Sequence, residues 1–92
     1  MATYLMFGKY SSEAVKAINS KRTDKAASLI KQNGGELKGG YALLGKTDLV
    51  LIVDLPDTER AMKTSADLSK LLGISFSTAP ALSLADFDKL MG

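Results

Sequence analysis

Asp48-Leu49-Val50-Leu51-Ile52-Val53-Asp54-Leu55 places five branched aliphatic residues in a row between two aspartates. A strand with one wet face alternates apolar and polar residues, whereas this run has no position to offer to water. It therefore reads as a central strand covered on both sides. Downstream, Pro56 stops the strand because it has no N–H to give the ladder. Asp57 then stands as the N-cap of a helix carrying Ala61, Met62, Leu68 and Leu72, with Gly73 suited to the left-handed residue at its end. Ile74 to Ala79 reads as the next strand, closed by Pro80. Upstream, Gly45, Lys46 and Thr47 read as a tight hairpin turn. They lead back into a strand from Glu36 to Leu44, where Gly39 and Gly40 point to a bulge or a close backbone approach.

The N-terminal part repeats the two-faced pattern. Thr3 to Lys9 reads as a strand with Tyr4 and Met6 on one face and Leu5 and Phe7 on the other. Ser11 and Ser12 are candidate N-caps, and Val15, Ile18, Arg22, Ala26 and Leu29 follow at helical spacing. Asn19 and Ser20 are poor interior residues, and Ser20 can cap a fresh start. The expectation is a short helix followed by a main helix from about Ser20 to Asn33, ended by Gly34 and Gly35. Near the C-terminus, Ser83 can cap a short helix in which Leu84, Phe87, Leu90 and Met91 share a face.

The order strand, helix, strand, strand, helix, strand predicts an α+β domain over residues 1–92 with a four-stranded antiparallel sheet. Right-handed crossovers put both main helices on one side of that sheet. The other face keeps Val50, Ile52 or their alternating neighbours without a helix to cover them, a larger apolar patch than monomers usually expose. A second copy of the chain is the expected cover, so a homo-oligomer joined through the open sheet face is expected.

Composition narrows the functional classes. The formal charge of +2 comes from lysines scattered along the chain, and the three Tyr and three Phe are not interleaved with a basic stripe, so neither nucleic acid nor a membrane is an expected partner. No cysteine is present, which removes thiolate chemistry and sulfur-ligated metals. No histidine is present either, which removes the commonest general base and metal ligand together. The opening MATYLMFGKY lacks the pattern of a signal peptide, and the cytoplasm is the default location. Asp54, Asp57 and Glu59 gather around Pro56, but Asp57 is explained as a cap and Glu59 as favourable first-turn charge, so neither a metal nor a cofactor is expected. Gly34-Gly35 and Gly39-Gly40 lack the spacing of a phosphate loop.

Several segments together resemble a known family: TYLMFGKYSSEAVKAI at the start, the Arg22-Thr23 pair, the Gly34-Gly35 helix end, YALLGKTDLVLIVDLPD in the middle and GISFSTAPA late. They are similar to the small bacterial GYD-domain proteins. That resemblance implies a ferredoxin-like βαββαβ sandwich of the dimeric α+β barrel group. The family is named for a Gly-Tyr-Asp turn before the third strand. Here Gly45 to Asp48 read Gly-Lys-Thr-Asp, so Thr47 occupies the place of the tyrosine.

Five residues stand out as candidate ligand contacts: Arg22, Tyr41, Asp48, Tyr4 and Ser77. On a continuous helix Arg22 would fall between Ile18 and Ala26 on the apolar stripe, where its guanidinium needs a partner. It either pairs with a carboxylate or carbonyls at the sheet edge, or clamps an anion at a pocket mouth. Asp48 either accepts bonds from turn amides or serves as a general base or partner to Arg22. Tyr4, Tyr10 and Tyr41 either pack in the core or interface, or line a cavity between the open sheet face and a partner. Ser75, Ser77 and Thr78 are either ordinary edge-strand hydroxyls or pocket polarity.

Three functions fit these residues. One is a homo-oligomeric module binding a small apolar or anionic molecule between sheet face and partner. Another is a cofactor-free oxygenase or isomerase, by analogy with other members of the dimeric α+β barrel group, with Arg22 and Asp48 as the catalytic candidates. The third is an assembly protein without a pocket.

Overall fold

The structure is a computed structural model that describes all residues, 1–92. The elements run β1 (Ala2–Tyr10), α1 (Ser12–Lys16), α2 (Arg22–Gln32), β2 (Glu36–Ala42), β3 (Leu49–Leu55), α3 (Thr58–Leu72), β4 (Ile74–Ala81) and α4 (Leu84–Met91). The sheet order is β2-β3-β1-β4, and every neighbouring pair is antiparallel. Strands β1 and β2 therefore run the same way with β3 between them, as do β3 and β4 around β1. Each crossover skips one strand, which is the ferredoxin-like arrangement, and the α+β expectation holds.

The aliphatic run of β3 divides cleanly between the two faces. Leu51, Val53 and Leu55 are buried while Val50 and Ile52 are only half-buried. Register extends the division to β1: Tyr4 pairs with Val53 and Met6 with Leu51 on one face, Leu5 with Ile52 and Phe7 with Val50 on the other. Ala26 and Ile30 of α2 and Ala61 and Leu68 of α3 pack against Tyr4, Met6, Leu51, Val53 and Leu55. Both main helices thus cover the same face. The opposite face carries no helix.

Local chemistry sets most boundaries. Asp57 caps α3 by accepting from Arg60 N at 2.8 Å, and Gly73 ends it at φ +66°, where a side chain would be strained. Ser11 and Ser83 cap α1 and α4 in the same way. The first helix is broken as expected, but Ser20 is not the cap. Asn19 makes the turn instead, its Oδ1 accepting from Lys21 N at 2.8 Å and its Nδ2 donating to Ala17 O at 3.1 Å. A carboxamide carries its donor and its acceptor on separate atoms, so it reaches both sides of the break at once.

Two further expectations change. The link between β2 and β3 is a loop over residues 43–48, closed by Leu43 N donating to Asp48 O, rather than a three-residue turn, because β2 ends at Ala42. The expected bulge lies between Leu37 and Gly39, and Gly40 makes the close approach, a Cβ there meeting Val50 O at 3.0 Å. Pro80 does not close β4 but sits inside it opposite Tyr4, which is tolerated because β4 is an edge strand and can turn its missing N–H outward.

Candidate functional site

The break between α1 and α2 opens a space at one end of the helix-covered face. A cavity of about 160 Å³ lies there between α2 and the sheet. Its apolar wall comes from Leu49 and Leu51 on β3, Ile74 and Phe76 on β4, Leu37 on β2 and Ala26 on α2. Its polar rim is Tyr10, Asn19, Arg22 and Thr23. A cleft of about 390 Å³ shares Tyr10, Thr23, Leu37, Leu49 and Leu51 with it and opens along the edge of β2 past Lys38 to Ala42. The two adjoin across these shared residues.

Gly8 shapes the floor. It lies in β1 between Leu49 and Phe76, and a Cβ there would meet Leu49 Cδ2 at 2.6 Å and both Ile74 Cγ2 and Phe76 Cε1 at 2.9 Å. Only without a side chain at this point can those three residues close over β1. Real Cβ atoms essentially never approach so near.

Arg22 is the charged group of the rim. Its Nη1 donates to Ala14 O at 2.7 Å and its Nη2 to Leu72 O at 2.5 Å, and its guanidinium carbon lies 5.5 Å from the centre of the Tyr10 ring. Ala14 and Leu72 lie near the C-terminal ends of α1 and α3, where a cation is favoured; Ala14 O also accepts from Ala17 N at 3.1 Å. The ion pairs of the molecule are Lys38 with Glu36 and Lys63 with Asp67, so no carboxylate neutralises Arg22. With the helix broken, Arg22 does not continue an apolar stripe from Ile18, which is largely exposed, as is Val15.

Asp48 is near but engaged elsewhere. Its Oδ2 accepts from Tyr10 N at 2.8 Å and its own N donates to Gly8 O at 2.8 Å, so it ties the start of β3 to the end of β1 rather than binding turn amides. The other candidates are divided between faces. Tyr4 is buried in the helix-side core, and Tyr10 lies on that same face at the cavity rim. Tyr41, opposite Val50, is 68% exposed on the open face, and Ser77, opposite Phe7, is also there. Thr78 points to the helix side, its Oγ1 donating to Ser65 Oγ at 3.1 Å. Arg22 and Tyr10 are brought together; Tyr41 borders the outer cleft with Tyr10 but not the inner cavity, and Ser77 borders neither. Asp54 accepts from Thr3 Oγ1 at 2.8 Å and Asp57 serves the α3 cap, so these carboxylates do not converge.

Sequence reasoning did not single out Asn19 and Thr23 at the rim, or Leu37, Leu49 and Phe76 in the wall. Asn19 had a signal in its poor helix propensity beside the break. The wall residues had none beyond hydrophobicity.

The GYD domain family model matches residues 4–91. The chain belongs to the GYD-domain family. No curated protein matches this GYD domain at a significant level. Among solved structures it is similar to the Mycobacterium tuberculosis leucine response regulatory protein (LrpA), at 10% identity and a TM-score of 0.60, covering 89% of this chain and 51% of that one. It is also similar to an AsnC family transcriptional regulator from Agrobacterium tumefaciens, at 17% identity and a TM-score of 0.59, covering 89% of this chain and 50% of that one. The GYD domain spans about half the length of these structures, and the likeness is one of fold. No helix in it is long and apolar enough to cross a membrane.

Proposed function

We propose that the protein is a homodimeric binding module that takes a small apolar anion, such as an aromatic carboxylate, into the cavity between α2 and the sheet. The observation that carries this reading is Arg22: a half-buried cation with no carboxylate partner, at the rim of an apolar cavity. A space of about 150 Å³ suffices for a benzene ring, and a guanidinium favours a carboxylate at its edge. The site lies on the helix-covered face, away from the sheet seam where sequence reasoning had looked. The open face is then left for the second copy.

The similar Mycobacterium tuberculosis structure is named a leucine response regulatory protein. A catalytic reading has less support, because the cavity lining includes no carboxylate and Asp48 Oδ2 is committed to the Tyr10 amide.

Benzoate is a suitable probe, followed by amide NMR on the nitrogen-labelled protein. Saturable shifts are expected at Ala26, Leu49 and Phe76, and Ala26→Leu should abolish them by filling the cavity while keeping the fold. Absence of shifts at millimolar benzoate, or equal shifts in Ala26→Leu, would remove the reading.

A further inference from the structure

The C-terminal helix α4 is apolar along one side and buries none of its residues. Leu84, Leu90 and Met91 are 80%, 70% and 66% exposed, and Phe87 and Leu82 are about half exposed. The radius of gyration, 13.6 Å, exceeds the roughly 12 Å expected of a compact chain of this length, and the longest extent is 48 Å. The helix stands off the body. It leaves on the side of the open sheet face, since Ser83 and Asp86 share a corner space of about 600 Å³ with Thr3, Leu5, Ala81 and Leu82. Leu5 is an open-face residue, paired with Ile52. The arm thus leaves from the edge of the open face, with Leu82 and the polar Ser83 and Asp86 bordering that corner.

We infer that α4 is an arm that packs against the second copy and completes the dimer interface. This rests on the proposal that the open sheet faces of two copies meet. Area supports it. Four strands of about seven residues, at about 4.8 Å between strands and 3.3 Å per residue, give a flat footprint of roughly 450 Å². Stable interfaces bury about 600 to 1,000 Å² from each partner. The exposed apolar side chains of Leu82 to Met91 add on the order of 400 Å², which brings the sum into that range. A copy seated on the open face also comes within reach of the arm, which leaves from the edge of that face. A membrane surface fits poorly, because the polar positions Asp86, Asp88 and Lys89 carry more acid than base.

Sedimentation equilibrium on the full chain tests this with the double variant Phe87→Ser and Leu90→Ser, which keeps the Ser83 cap. The native chain should sediment as a dimer of the 9.8 kDa chain, and the double variant should dissociate at least about tenfold more readily. In the background of Ile52→Lys, which should be monomeric, the same two changes should leave the melting temperature unaltered. A native dimer whose constant the double variant does not move overturns the arm and leaves the sheet-face dimer standing. A native monomer overturns both. A lowered melting temperature in the monomeric background assigns α4 to its own chain and also overturns the arm.

Discussion

Arg22 ends two helices with one side chain. Its two Nη groups serve Ala14 O and Leu72 O, and its stem follows the edge of the cavity. Both roles weighed for it in the sequence are compatible with this geometry: it pairs with carbonyls, and no carboxylate spends its charge. Arg22→Met keeps the stem and removes one charged donor from each carbonyl, Ala14 O retaining its bond from Ala17 N. Hydrogen bonds from a charged group contribute about 1.5 to 3 kcal/mol each, reduced where water can replace them, so a loss of about 2 kcal/mol is expected in urea denaturation. A loss below experimental error would show that water replaces the guanidinium at no cost. The residue's importance was legible because an arginine on an apolar helix is conspicuous. Its partners were not, because a helix end fifty positions away in sequence leaves no local signal.

Helix α3 shows how far an element can be read from its own residues. Asp57, Gly73 and the apolar stripe placed it correctly, and the structure adds the exposed pair Lys63 and Asp67 at 2.9 Å, one turn apart. The hydrogen bond from Lys63 holds the Asp67 carboxyl below its ordinary value. A group depressed on folding adds stability that is fully present above the unfolded pKa of about 3.9 and fades as pH falls through the folded value. The melting temperature of Asp67→Asn should therefore lie slightly below that of the native chain at pH 7, and the gap should close on acidification below about pH 4. A gap that persists or widens in acid would contradict this sign. The first helix was harder to place, because Ser20 and Asn19 both look like starting residues. Only the bonds from Asn19 to both sides of the break decide between them.

At the scale of the molecule, the sheet has one face under helices and one without. Ile52 is half-buried at the centre of the open face, between Leu5 on β1 and Gly39 on β2. Ile52→Lys puts a charge there without touching the helix-side core, so the fold should survive by circular dichroism while sedimentation velocity gives a monomer. A dimer that persists would move the interface elsewhere. This surface was legible from Leu49 to Val53, since a strand apolar on both faces announces two covers. The cavity was not legible. A face lined with aliphatics looks the same in sequence whether it is tightly packed or leaves a space.

The sequence by itself determined the order of elements, the caps of α1, α3 and α4 and the two apolar faces of the central strand, because periodicity and capping act over a few neighbouring residues. The tertiary structure alone decided which face holds the cavity, that Arg22 meets Tyr10 and two helix ends while Asp48 is drawn into the backbone of β1, and that α4 stands free. Those outcomes depend on how elements far apart in the chain pack. The missing Cβ of Gly8 beneath Leu49, Ile74 and Phe76 is one such cause, and no local pattern encodes it.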